Sequence, residues 1–210
     1  MADLLQDKDR RWTYADYKQL PDELRVEIID GVLYDMSAAP VRRHQLISVR
    51  LERVLDPIAL ARGCELYHAP FDIRLPQAEP VLVVGNDRRH TADDGNVSTV
   101  VQPDIVVVCD KSILDDAGCS DAPELVIEIL SPSTSYKDQS KKLELYGRHG
   151  VLEYWIVNPE AAWVMVYRRA APGDARFAKP EYYRAEESIP VELLGGLARG
   201  AVVELEAVFA

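Results

Sequence analysis

Pro123-Glu124-Leu125-Val126-Ile127-Glu128-Ile129-Leu130 is an apolar run of strand length, closed by Pro123 on one side and by Ser131-Pro132-Ser133 on the other. Side chains alternate along a strand, so Glu124, Val126, Glu128 and Leu130 share one face and Leu125, Ile127 and Ile129 the other. With both faces mostly apolar, the run reads as a central strand. An ionised carboxylate in such a place costs on the order of several kcal/mol unless a cation or strong donors meet it. Glu128 is therefore the residue that needs a partner.

Working outward, Val-Gln-Pro-Asp-Ile-Val-Val-Val-Cys-Asp over 101–110 reads as another strand. Asp104, Val106 and Val108 share a face of it, so here too a single carboxylate opens an otherwise apolar strand. Downstream, 131–150 has the period of a helix. Pro132, Ser133, Thr134 and Ser135 offer caps, Leu143, Leu145 and Tyr146 an apolar stripe, and Gly147 and Gly150 weaken and then end it. A further strand follows at 151–157, then an Asn158-Pro159 turn and a hairpin partner over 163–168. Upstream, 40–62 is helical, with Leu46, Val49, Leu51, Val54, Leu55 and Ile58 as its stripe, Pro57 near its end and Gly63 as its stop. Residues 64–75 read as one long strand with an irregularity at Pro70. The middle of the chain thus runs helix, three strands, helix, strand: an α/β arrangement in which three strands can meander and the second helix cross over to set the fourth beside them.

The flanks are additions to this core. Thr13 with Asp16 three residues on is a capping-box signature for a short helix over 13–20. Asp30-Gly31 divides 24–36 into the two arms of a hairpin. The stretches VLVV and VSTVV, within 76–100, could pair about the polar loop GNDRRHTADDGN. His90, Asp93 and Asp94 in that loop have metal-ligand chemistry, although scattered charges in a polar loop are far commoner. From Pro180 onward the chain reads as short strands around Gly195-Gly196, a C-terminal β extension. Neither a repeat nor a linker interrupts 1–210, which reads as a single domain.

Composition bounds the function. The 210 residues are 48% hydrophobic and 28% charged, as in an ordinary globular protein, and no run is apolar over the length of a membrane span. The first residues are charged and lack the apolar centre of a signal peptide. Three cysteines, Cys64, Cys109 and Cys119, form no CxxC pair, which fits a reducing cytoplasm and speaks against a zinc knuckle. The net charge is −11. A protein that binds nucleic acid mainly through phosphate contacts is expected to be basic. Either nucleic acid is not the partner, or its phosphates are met locally by a metal and a few cations.

Asp104 and Glu128, on strands that can neighbour one another, would repel if brought together unless a divalent cation or strong donors lay between them. Carboxylates and water around a hard cation describe a magnesium or manganese site, which can acidify a water and stabilise charge on phosphorus. The competing reading is a structural pair satisfied by backbone donors or by a lysine.

The runs QPDIVVV, APELVIEILSPST, DQSKKLELY and GVLEYWIVNP, in that order, resemble the Uma-two (Uma2) family of restriction endonucleases, within the PD-(D/E)XK nuclease superfamily. LPDELRVEIIDGVLYDMSAAPVRRHQ at the entry and SIPVELLGGLARGAVVELEAVF at the tail match as well, so the resemblance spans nearly the whole chain. It implies a restriction-endonuclease-like core and a Mg2+-dependent enzyme, with Mn2+ as a substitute, that hydrolyses DNA. It also implies that Asp104 and Glu128, helped by the Ile129 carbonyl, hold the metal. The superfamily lysine, two residues after the glutamate, is replaced here by Leu130. The resemblance moves that role to Lys142 on the following helix, with Lys141 as the fallback and Asp138 one turn away as a pairing partner. Glu27 and His44 also match the family pattern. A homodimer would let one site per chain cut both strands. The alternatives are a nuclease fold kept only for binding or scaffolding, and hydrolysis of another phosphoester.

Overall fold

A computed structural model describes residues 10–21, 23–36, 39–76, 94–131, 136–169, 171, 174–191 and 201–210, with 136–139 as backbone alone. In chain order the elements are α1 (Tyr14–Tyr17), β1 (Val26–Ile29), β2 (Val32–Asp35), α2 (Arg42–Leu60), β3 (Glu65–His68), β4 (Ile73–Leu75), β5 (Thr99–Val101) and β6 (Ile105–Val108). There follow β7 (Leu114–Asp115), β8 (Gly118–Cys119), β9 (Leu125–Ile129), α3 (Tyr136–His149), β10 (Glu153–Asn158), β11 (Trp163–Arg168), β12 (Glu181–Arg184), β13 (Ser188–Pro190), β14 (Val202–Glu204) and α4 (Leu205–Phe209). These elements belong to two compact units that alternate along the chain.

The first unit is Met1–Ala39, Phe71–Gln102 and Ser112–Ala122. Its sheet has the order β2-β1-β5-β4-β8-β7. Thr13 caps α1 through the expected box with Asp16, and the hairpin turns at Asp30-Gly31, where both residues take positive φ as a tight two-residue turn requires. Trp12, Tyr14, Val26, Ile28, Leu33, Val97 and Val100 form its core. The VLVV arm, His90, Asp93 and the Gly195-Gly196 turn lie outside the described residues.

The second unit is Pro40–Pro70, Pro103–Lys111 and Pro123–Ala210, and its sheet has the order β12-β11-β10-β9-β6-β3. Strands β3, β6 and β9 are an antiparallel meander, and the crossover through α3 sets β10 parallel to β9. This is the expected helix, three strands, helix, strand, with β11 and β12 continuing the sheet and β13–β14 forming the C-terminal extension, which ends in the short helix α4. One sheet face, carrying Leu125, Ile127, Ile129, Trp155, Val157, Val164 and Val166, buries against α2 and α4.

Three readings need correction. Residues 64–75 are two strands in different sheets, β3 and β4, and the strand expected over 101–110 is likewise divided, with Val101 ending β5 and β6 beginning at Ile105. Each division falls at a proline, Pro70 and Pro103, which has no N–H to continue a ladder. The buried stripe of α2 is His44, Ile47, Leu51, Leu55 and Ala59, whereas Val49 is exposed; the row follows a spacing of about four residues and passes through the histidine. Cys64 and Cys109 are joined in a disulfide, which departs from the expectation of reduced thiols; Cys119 is buried outside it. No helix among the described residues is long and apolar enough to cross a membrane.

On the α2 face of the sheet, Glu153 is only 1% exposed and pairs with Arg168, whose Nε lies 3.0 Å away. Arg168 also donates to Glu181 and to the Pro190 carbonyl, both at 2.8 Å, tying β10, β11, β12 and β13 together. Breaking a buried ion pair by removing one partner costs on the order of 3–5 kcal/mol. Arg168→Ala is therefore expected to lower the urea-unfolding midpoint severely, and Glu153→Gln in the same background to recover part of the loss; an Arg168→Ala protein as stable as the parent would contradict this account.

Candidate active site

Strands β6 and β9 pair Ile105 with Ile127 as the last step of their ladder. The next step would set Asp104 opposite Glu128 and Pro103 opposite Ile129. Pro103 has no N–H, and the ladder stops. Asp104 takes over at that point with its side chain: Oδ2 accepts the N–H of Ile129 at 2.7 Å. The same oxygen faces Nε2 of His44 at 3.2 Å. His44 is the first buried residue of the α2 stripe, 8% exposed, so the packing of α2 on the sheet also delivers the imidazole to Asp104.

Glu128 lies on the opposite sheet face from the large core, level with Ile156 of β10. Its Oε1 accepts from Lys142 Nζ and from the Tyr146 hydroxyl, both at 2.8 Å. Lys142 and Tyr146 are four residues apart on α3 and so share one helix face. Tyr146 is fully buried and packs edge-on against Tyr154, with ring centroids 5.0 Å apart. Glu128 and Lys142 are each largely but not wholly buried.

His44, Asp104, Glu128, Ile129 and Lys142 thus gather at one end of the second unit's sheet. Lys141 is exposed on α3. The Asp138 side chain lies outside the described residues. Glu27 belongs to the first unit, where it is buried and its Oε1 accepts the backbone N–H of Gln102 at 2.9 Å. Asp94 pairs with Lys18 there. Two participants escape a reading of the sequence. Tyr146 looks like part of an apolar stripe, and only its i+4 spacing from Lys142 hints at a shared acceptor. The N–H of Ile129 is main chain and leaves no mark in the sequence.

Electrostatically, burial pulls the His44 pKa down most strongly. The hydrogen bond and charge of Asp104, the Ile129 carbonyl beside the ring and the charge of Glu128 together outweigh it, and the pKa ends above the ordinary histidine value. His44 Nδ1 is buried without a hydrogen-bond partner. Asp104, Glu128 and the Ile129 carbonyl are an all-oxygen, hard donor set of the kind that suits Mg2+ or Mn2+. No group of three or more His, Cys, Asp and Glu side chains among the described residues is arranged to hold a metal. A cation here would rest on two carboxylates, one carbonyl and water, which is within the habit of Mg2+.

Residues 14–204 match the Uma2 family, described as "Putative restriction endonuclease". The chain belongs to the Uma2 family. Its solved neighbours include "a putative nuclease belonging to DUF820" from Anabaena variabilis ATCC 29413. That crystal structure superposes with a TM-score of 0.67 at 20% identity, over 94% of this chain and 97% of the other, and the likeness establishes the shared fold. An uncharacterised protein of Synechocystis sp. (strain ATCC 27184 / PCC 6803 / Kazusa) is 25% identical over 170 residues, which is 80% of this chain and 77% of that one. The Uma2 architecture is thus a mixed α/β nuclease fold, and the cluster of acids and lysine lies at the end of its central strands.

Because the folded-state pKa of His44 is raised, its contribution to stability is complete below the unfolded value near 6.5 and is lost as pH rises through the folded value. In EDTA, the wild type is expected to lose stability relative to His44→Gln as pH rises above about 6.5, measured by urea unfolding. Asp104→Asn should flatten the difference; parallel profiles for all three proteins would show that the imidazole and the carboxylate are not coupled.

Proposed function

We propose that this Uma2 protein is a Mg2+-dependent endonuclease that hydrolyses phosphodiester bonds in DNA, with Mn2+ as a competent substitute. The observation that supports the reading is Lys142 of the crossover helix at 2.8 Å from Glu128, one register step beyond the Ile105–Ile127 pair from which Asp104 reaches the Ile129 N–H. A divalent cation held by the two carboxylates and the Ile129 carbonyl would supply an acidified water and stabilise charge on phosphorus. The chain's own residues do the rest. Lys142 offers a flexible ammonium that can leave Glu128 for a phosphate oxygen, orienting the attacking water and stabilising the negative charge as phosphorus becomes pentacovalent. Tyr146, rigid in the core, keeps Glu128 aimed when the lysine turns away. His44 steadies Asp104 through Nε2 and brings its imidazole close to where a phosphate would lie. Glu27 fixes the backbone of Gln102, two residues before Asp104 in the chain.

The net charge of −11 favours a second reading, in which the same acids serve a binding protein without turnover, satisfied by Lys142, Tyr146 and His44 alone. The two diverge on metal. For the enzyme, Asp104→Asn and Glu128→Gln are expected to abolish Mn2+ binding by calorimetry and cleavage of plasmid DNA, while the folded state is retained by circular dichroism. Lys142→Ala should keep Mn2+ binding and lose cleavage by roughly 100- to 1,000-fold, the usual cost of removing one donor to a developing oxyanion. Absence of carboxylate-dependent Mn2+ binding in the wild type would leave only the binding-protein reading. Cutting both strands of a duplex favours a homodimer, and sedimentation as a monomer in the presence of DNA would exclude it.

A further inference from the structure

The register of the second sheet carries a row of side chains outward from Glu128 on one face: Glu128 pairs with Ile156, Ile156 with Met165, and Met165 with Tyr182. Two residues further along the strands, the next row on that face is Asn158, Trp163 and Arg184. Tyr146 and Phe177 cover the preceding row by packing on Tyr154 and Tyr167. Beyond Ile156 the face opens. Trp163 and Met165 are half-buried, Tyr182 is 50% exposed and Arg184 is exposed.

The rings of Trp163 and Tyr182 lie 5.5 Å apart at 38°, a contact formed across β11 and β12 rather than within the core. The Arg184 guanidinium has no ion-pair partner among the described residues. In a chain of net charge −11, an exposed arginine in register beside two partly open aromatic rings complements a polyanion that carries flat bases.

We propose that Trp163 and Tyr182, flanked by Arg184, form a base-stacking platform for a single-stranded segment of DNA running from the phosphodiester bond at Glu128. The proposal deepens the endonuclease reading and rests on it for the position of the scissile bond. Three strand spacings separate Glu128 from Tyr182, about 14 Å. That is the length of about four stacked nucleotides at the B-DNA rise of roughly 3.4 Å. Bases a few steps from the cut therefore reach the rings only if they are unpaired, because a duplex keeps its base faces against one another. The platform thus makes a splayed or flapped end the preferred substrate over a blunt duplex.

The test compares binding of an oligothymidylate and an abasic strand of equal length and charge to the wild-type protein in EDTA, by fluorescence anisotropy. Stacking predicts that the strand with bases binds at least about five-fold tighter. In Trp163→Ala/Tyr182→Ala that advantage disappears, with Mn2+ affinity unchanged. Arg184→Ala weakens both strands alike. Tyr182→Ser alone, at an exposed position, narrows the advantage and serves if the double variant fails to fold; Tyr182→Phe preserves it. Equal binding of the two strands by the wild type, or an advantage that survives in the double variant or in Tyr182→Ser, overturns the proposal. The endonuclease reading fails separately, if the base-dependent advantage is present but no metal supports cleavage of the oligothymidylate or of flapped DNA.

Discussion

The acceptance of the Ile129 N–H by Asp104 Oδ2 is the contact on which the rest of the site depends. A strand that ends inside a sheet leaves its neighbour with an unpaired donor, and a buried donor without a partner is costly. Pro103 creates that situation by ending β6, and Asp104 resolves it with a carboxylate. The bond holds an acid at the edge of the ladder beside Glu128, and its second oxygen is left for other company. His44 closes the arrangement from the α2 side. The repair of the ladder and the aim of the carboxylate are therefore one and the same feature.

The electrostatics of the site follow from helix spacing. Lys142 and Tyr146 meet Glu128 through one oxygen, and they differ in what they can do next. Tyr146 is locked by its neighbours Tyr154 and the covered rows around it, whereas Lys142 swings on four rotatable carbons. A rigid donor and a mobile one on the same acceptor allow the carboxylate to stay in place while the ammonium changes partners.

The division into two units shows how the chain uses proline. It passes from one unit to the other at Ala39–Pro40, Pro70–Phe71, Gln102–Pro103, Lys111–Ser112 and Ala122–Pro123. Four of these five crossings carry a proline, which withholds an N–H from any ladder and keeps the preceding residue extended. The long strands suggested by 64–75 and 101–110 are broken for this reason. Apolar alternation continues across both prolines, because each half is buried in a core of its own, and hydropathy by itself does not say that the cores are different.

What the sequence determined by itself is the order of elements in the second unit, the parallel crossover, and the two carboxylates that no apolar strand would carry without cause. These follow from period and from the cost of buried charge, both local properties of the chain. Tertiary structure decided the rest. Which face α2 buries, and hence that His44 points inward, depends on packing against β6 and β9, and a stripe through His44, Ile47 and Leu51 is as compatible with the local pattern as one through Leu46 and Val49. The choice of Lys142 over the exposed Lys141, the recruitment of Tyr146 and the use of a main-chain N–H to aim Asp104 all depend on how α3 and β6 meet β9. Partners that far apart in sequence are brought together by the fold alone, and nothing in the spacing of residues records it.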